Sequence, residues 1–222
     1  MDQPNAPSSD SSSREREESS FASDVAFTPA VKAFQERRGS RTAYHKMEQT
    51  RGWHTTITAD LADFIAERDS VYLATANATC QPYVQHRGGP KGFIRVIDDH
   101  TLGFADYAGN RQYITTGNLA ENDRAFLFLM DYANSRRFKI WGRARIVEDD
   151  SELIARLMPD DYAAKPEQAI IFKVEAWDTN CHQHIPRKLD AADVVPAFEH
   201  LQARVAQLEA ENARLRENLT RK

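Results

Sequence analysis

Residues 83–119 read YVQHRGGPKGFIRVIDDHTLGFADYAGNRQYITTGNL, alternating short apolar runs with glycine-rich basic turns. Phe93 to Ile97 and Thr101 to Ala105 are strand-length runs joined by the polar turn Asp98, Asp99 and His100, which predicts a β-hairpin. One basic cluster, Arg87, Gly88, Gly89, Pro90, Lys91 and Gly92, precedes the hairpin, and a second, Gly109, Asn110 and Arg111, follows it. Glycines let backbone N–H groups approach an anion. An arginine fork suits the several oxygens of a phosphate, and a lysine adds a point charge. The hairpin is expected to bring the clusters toward one end, so that one dianionic phosphate meets Arg87, Lys91 and Arg111 together. Either cluster alone reads more simply as a loop with solvated charges; the two flanking one hairpin point to an anion site. The chain contains neither GxxxxGK[ST] nor GxGxxG, so neither a P-loop nor a Rossmann dinucleotide site is indicated.

Working outward, further β-rich runs occur at Val71 to Thr75, Pro82 to His86, Ala125 to Met130, Arg137 to Val147 and Ala169 to Trp177. Strands at this spacing, joined mostly by turns, predict an antiparallel barrel or sandwich, a mainly β fold with peripheral helices. A doubly wound sheet would need a helix between most strands, and only Gln112 to Glu121 and Ser151 to Met158 offer internal helices. A further helix begins after Thr58, a capping residue, with Asp60 in its first turn and Leu61, Phe64 and Ile65 on one face. It is expected to cover one end of the barrel.

The 222 residues suffice for one barrel-sized domain with tails. The net charge of −4, without a long Lys/Arg run, gives no electrostatic case for nucleic acid. No apolar run approaches membrane-spanning length, and residues 1–20 lack the apolar region of a secretory signal. Two cysteines, Cys80 and Cys181, form no disulfide framework and suggest a reducing, cytoplasmic compartment. Residues 1–26 are expected to be a disordered Ser-rich tail. Residues 27–57 form an N-terminal extension, with a short helix over Val31 to Arg38 after Pro29.

The C-terminal segment 194–222 carries a heptad pattern. Phe198, Leu201, Val205, Leu208, Asn212, Leu215 and Leu219 alternate steps of three and four, with Asn212 at an a position. In a parallel dimer Arg204 would face Glu209 of the partner and Glu211 would face Arg216, both pairs opposite in sign. A parallel two-stranded coil is the expectation. A leucine-zipper transcription factor is not, because residues 181–199 are not a basic helix.

The run LGFADYAGNRQYITTGNLAENDRAFLF at 102–128, followed by FKIWGRARIVED at 138–149, resembles the pyridoxamine 5'-phosphate oxidase superfamily of FMN-binding split β-barrels. The resemblance spans roughly residues 58–180 and implies an antiparallel split barrel over 58–190. In it Arg87 and Lys91 match the basic pair at the FMN phosphate, four rather than five residues apart. Asn110 and Arg111 fall where the family has Ser and Arg, Gln112 replaces a Lys, Leu119, Asn122, Arg124 and Ala125 match the helix-to-strand junction, and Gly142 and Arg143 match a Gly-Arg pair. The true oxidases end in an Arg-x-His segment, whereas this chain has DTNCHQHIP at 178–186, closer to flavin-nucleotide-binding relatives ending in Asn-Cys-x-Gln-His-Ile. The resemblance thus implies FMN rather than vitamin B6 chemistry. It also implies a homodimer through the barrels with FMN at the subunit interface, an arrangement that the zipper read from the heptad spacing would reinforce.

The expected activity is FMN-dependent oxidoreduction of a small molecule, with NAD(P)H as a candidate electron donor and no nucleic-acid or membrane partner. Arg87, Lys91, Asn110 and Arg111 would hold the phosphate. Gln183 would bond the polar edge of the ring, and His184 would serve as proton donor, a role to which histidine as a residue type is suited. The alternatives are a non-catalytic flavin-binding or storage protein and, less favoured, a haem or metal protein using His182 or His184. Cys181, His182 and His184 form a single cluster without a partner pair at zinc spacing, so no metal is expected. A deazaflavin presents the same phosphate and tricyclic ring as FMN.

Overall fold

A computed structural model describes residues 21–179 and 182–221. The expected tail lies mostly outside these residues, as do Asn180 and Cys181. The chain divides into two compact units between Gly52 and Trp53.

In the first unit, Ala22–Val25 form a 3-10 turn within the stretch expected to be tail. Helix α1 (Pro29–Arg37) is opened by Thr28, whose Oγ1 accepts from Val31 N at 3.3 Å, with proline at the first helical position. Helix α2 (Arg41–Thr50) is an addition to the elements expected from sequence. Polar groups hold it instead of an aliphatic stripe: Glu48 is buried, 2.5 Å from the Arg41 guanidinium, and accepts from the Ser23 hydroxyl at 2.9 Å. Burial by itself raises the Glu48 pKa, but hydrogen bonds from Arg41 and Ser23 outweigh it and hold the carboxyl below its ordinary value. A lowered folded-state pKa contributes stability that is present above the unfolded-state value and lost as pH falls through the folded one.

In the second unit, helix α3 (Ala59–Ala66) is capped by Thr58 and turns Leu61, Phe64 and Ile65 inward. The strands are β1 (Ser70–Ala76), β2 (Pro82–Gly88), β3 (Arg95–Asp98), β4 (Thr101–Tyr107), β5 (Arg124–Asp131), β6 (Arg136–Val147) and β7 (Pro166–Thr179). They form one antiparallel sheet in the order β2-β1-β5-β6-β7-β4-β3. Helices α4 (Ile114–Glu121) and α5 (Ser151–Leu157) lie in the β4–β5 and β6–β7 connections. This is a mainly β, antiparallel split barrel with peripheral helices.

Alternation places the sheet's inner face. β1 and β5 bury every second residue, Val71, Leu73, Leu127 and Leu129 among them, in a core shared with α3, β4, β6 and β7. Burial on both faces distinguishes β4: Leu102 and Phe104 join that core, while Ala105 packs with Leu157 of α5, Ala169 and Ile171 in a second cluster. The linker from Trp53 belongs to the barrel, since Trp53 stacks on Trp141 at 4.6 Å and Trp177 Nε1 donates to Thr56 O at 2.7 Å.

Two element starts differ from the sequence expectation. Phe93 and Ile94 are core residues at the end of a turn, and β3 begins only at Arg95, because Gly92 takes a left-handed φ of 77°. α4 begins at Ile114 rather than Gln112, because Arg111 and Tyr113 take left-handed φ values of 59° and 52°.

The expected C-terminal helix is α6 (Ala191–Thr220), with Pro196 inside its first turns and no buried residue. No helix of the described residues is long and apolar enough to cross a membrane.

Gly142 is fixed by close approach. At the register shift between Trp141 and Gly142 a Cβ would lie 2.0 Å from Lys173 O. Gly142→Ala should therefore cost at least about 2 kcal/mol in chemical denaturation through forced backbone movement. Gly117→Ala, in open space on α4, should add about 0.5–1 kcal/mol. For the first unit, amide exchange should show protection over residues 21–50 being lost as pH falls below the ordinary glutamate range, and already missing at neutral pH in Glu48→Gln.

Candidate functional site

The two ends of the split sheet come together around an ion pair. Arg87, on edge strand β2, reaches Asp106 on β4, with Nη1 2.5 Å from Oδ1. The contact is tight, while Arg87 Nε is buried without a hydrogen-bond partner among the described residues. Asp106 Oδ2 accepts from Gln168 Nε2 at 2.8 Å, and that amide also donates to Thr116 Oγ1 at 3.0 Å. Burial pushes the Asp106 pKa above its ordinary value, against the opposing effects of Arg87 and the Gln168 hydrogen bond, with Glu167 raising it further.

A cleft of about 200 Å³ opens beside this pair, lined by Tyr83, Gln85, Arg87 and Asp106 from the strands and by residues 109–116. Local backbone shapes its mouth. Asn110 Oδ1 accepts from Gln112 N at 3.2 Å, closing an Asx turn. Left-handed Arg111 and Tyr113 follow, conformations that cost non-glycine residues free energy and collect where a site needs a particular chain path. The buried Thr115 donates to Gln85 Oε1 at 2.6 Å, and Asn118 donates to Thr75 Oγ1 at 3.0 Å, tying α4 to β2 and β1.

The structure thus brings Arg87, Asn110 and Arg111 to one cleft. Lys91 is elsewhere. Gly89 N donates to Asp69 O at 2.9 Å and Gly92 N to Arg68 O at 3.2 Å, so the turn is held against the α3–β1 connection. Lys91 accordingly lines a second cavity of about 770 Å³ and lies 3.4 Å from Glu67. The expectation that Arg87, Lys91 and Arg111 come together is corrected: within one chain Lys91 does not share the cleft lined by Arg87, Asn110 and Arg111.

Gln183 and His184 are also outside the cleft. They lie in an exposed turn beyond Thr179, the far end of β7, where Ser135 Oγ donates to Ile185 O at 3.4 Å. Gln168, beside Asp106, is eleven residues back along the same strand, about 36 Å of extended chain. Within one chain His184 therefore does not share the anion cleft. Among the described residues, no group of three or more His, Cys, Asp or Glu side chains could hold a metal ion.

Sequence reasoning missed Asp106 and Gln168. The signal was present: Asp106 is the lone charge in the apolar run Leu102 to Ala105 and Tyr107, and Gln168 immediately precedes the apolar run Ala169 to Phe172. Polar residues embedded in such strands require partners.

The fold is an antiparallel split barrel with an arginine-lined cleft where its terminal strands approach. Residues 57–181, more than half the chain, match the pyridoxamine 5'-phosphate oxidase family, and the chain belongs to that family. Among solved structures it is similar to HupZ of Group A Streptococcus (19% identity over 60% of this chain and 99% of that one, TM-score 0.46). It is similar also to an FMN-binding protein of Syntrophomonas wolfei (13%, 66% and 97%, TM-score 0.43). A third is HutZ, the haem storage protein of Vibrio cholerae (17%, 54% and 89%, TM-score 0.35). No curated protein sequence matches the chain.

Proposed function

We propose that the protein binds FMN, with the phosphate held in the cleft by Arg87, Asn110 and Arg111, and that it is a flavin-dependent oxidoreductase acting on a small molecule. The observation that carries this reading is the cleft that gathers Arg87 and Arg111 beside the Asn110 turn. Two guanidinium groups at one opening suit the several oxygens of a phosphate. Bound FMN supplies hydride or electron transfer; the residues of this chain bind and orient it. A cleft of about 200 Å³ is smaller than the roughly 300–1,000 Å³ of typical small-molecule sites, which suits the anionic end of a nucleotide and leaves the ring to be covered by other groups.

Those groups come from a second copy. The outer face of β1, β5 and β6 carries half-buried Tyr72, Phe126, Phe128 and Trp141 with exposed Val84 beside them, an apolar surface of the kind that marks an interface. On α6, Phe198, Leu201, Val205, Leu208 and Leu215 are between 41% and 61% exposed, so the a/d stripe is unpaired within its own chain. Asn212 at a, and the charges Arg204 with Glu209 and Glu211 with Arg216, fit a parallel, in-register second α6.

A non-catalytic flavin-binding or storage role is the second reading, favoured by the separation of His184 from the cleft. Oxidation of NADPH or NADH by the flavin-loaded protein decides between the two: turnover supports the oxidoreductase, and a stably bound, unreactive flavin supports storage.

Denaturing the purified protein should release FMN in near-stoichiometric amount. Arg111 is exposed and has no acidic partner among the described residues, so Arg111→Ala should leave the melting temperature unchanged while weakening FMN binding roughly 10–100-fold, the effect of one charge-assisted hydrogen bond. Unchanged flavin content in the Arg87→Ala, Arg111→Ala double variant would remove the site assignment. For the pairing, Leu215→Cys at a d position should cross-link two copies under mild oxidation; a chain that sediments as a monomer, or a cysteine that never cross-links, rules out the parallel zipper.

A further inference from the structure

Resting on the phosphate reading above, the charges around the cleft pose a problem that the positions of two side chains resolve. Arg87 and Arg111 supply two positive charges, and Asp106 and Glu167, which line the same cleft, supply two negative ones. A dianion entering this cleft meets no net positive charge. Arg87, the more enclosed of the arginines, is already matched by Asp106 at 2.5 Å.

The two carboxylates are not equivalent. Glu167 is half-buried, with solvent to screen it, whereas Asp106 is 6% exposed, on β4. The groups facing Asp106 are Arg87 from β2, Gln168 and Glu167 from β7, and Thr116 from α4 through Gln168; Arg111 lines the same cleft. Arg87 favours its charge and Glu167 opposes it. Placing a phosphate dianion against Arg87 adds a second negative neighbour to a carboxylate largely shielded from water, and like charges nearby raise a carboxyl pKa.

We propose that Asp106 is the proton-accepting group of the anion cleft: a dianionic phosphate binds to Arg87 and Arg111 together with protonation of Asp106, so that binding takes up one proton from solvent. The proton goes to Asp106 Oδ1, the oxygen that faces Arg87, while Oδ2 keeps the Gln168 amide. The new O–H donates toward the phosphate, and the Arg87 guanidinium, released from pairing with a carboxylate, gives its full charge to the ligand. Asp106 then acts as a specificity-determining residue. It disfavours dianions at alkaline pH, where protonation is costly, and admits them as pH falls. Burial has already moved its pKa in the direction this requires.

The test is calorimetric titration of FMN into flavin-stripped full-length protein at about pH 8, where a phosphomonoester, with a second pKa near 6, is a dianion. Repeating it in buffers of different ionisation enthalpy yields the protons exchanged. Wild type should take up about one proton per FMN, and Asp106→Asn none, with the pH dependence of its affinity flattened between about pH 6 and 9. FMN binding without proton uptake in wild type, or equal uptake in both proteins, overturns the proposal and leaves the flavin reading standing. If FMN fails to bind, the flavin reading falls; inorganic phosphate is then the probe, and its binding without uptake, or its failure to bind, overturns the proposal. Should Asp106→Asn not fold, infrared difference spectra of wild type on adding FMN, or phosphate in that second case, decide: a new carboxylic-acid carbonyl band supports protonation, and its absence overturns it.

Discussion

The ion pair between Arg87 and Asp106 closes the one seam that backbone hydrogen bonds leave open. The ladder runs without interruption from β2 to β3, and those terminal strands do not pair with each other. Arg87 reaches across that gap to β4. A pair this enclosed is a poor source of stability, since desolvating two charges offsets most of their attraction. It also leaves the Nε of Arg87 buried without an acceptor among the described residues. A hydrophobic closure would have been at least as stable. Retaining charges here makes sense if the seam must open electrostatically to something else.

The surroundings hold that pair in place. Gln168 bridges Asp106 and Thr116, and Thr115 and Asn118 fasten α4 to Gln85 and Thr75 on the other side of the seam. β4 and β7 can carry buried Asp106 and Gln168 because they are packed on both faces, one by the main core and one by α5. The turn at 109–113 is therefore suspended between rigid supports. That is how two left-handed non-glycine residues persist there: surrounding structure over-determines them.

Most strands were legible in the sequence because their signal is local. Period-two alternation in Val71 to Thr75 and Ala125 to Met130 reports a half-buried face wherever it occurs. Helix α2 was not legible, since its stability comes from Glu48, Arg41 and Ser23, whose partnership crosses 25 residues. Arg87, Asn110 and Arg111 could be read as a basic, turn-rich set. Their separation from Lys91 could not, because it depends on two backbone hydrogen bonds from the Gly88–Phe93 turn to Arg68 and Asp69. Composition shows that a charge exists and is silent on which carbonyl holds its loop. Asp106 lay between these cases, visible as an anomaly in an apolar strand but without a partner until the sheet curled.

The same distinction governs His184. One chain holds it at the opposite end of β7 from the arginine cleft, in a segment anchored by Ile185 against Ser135 and by Lys188, whose ammonium sits 4.4 Å from the Tyr132 ring centre. On the proposed parallel pairing, the axes of two α6 helices run about 8–10 Å apart. His184 is seven residues before Ala191, so it lies within about 25 Å of where the helices begin. Pairing would therefore draw the two 182–190 segments toward a common axis. A histidine too distant to serve its own cleft becomes available to the other copy only if the barrels associate with the seam of one facing the β7 end of its partner. The zipper and the flavin reading thus constrain each other, because the ring needs cover that a cleft of about 200 Å³ does not supply.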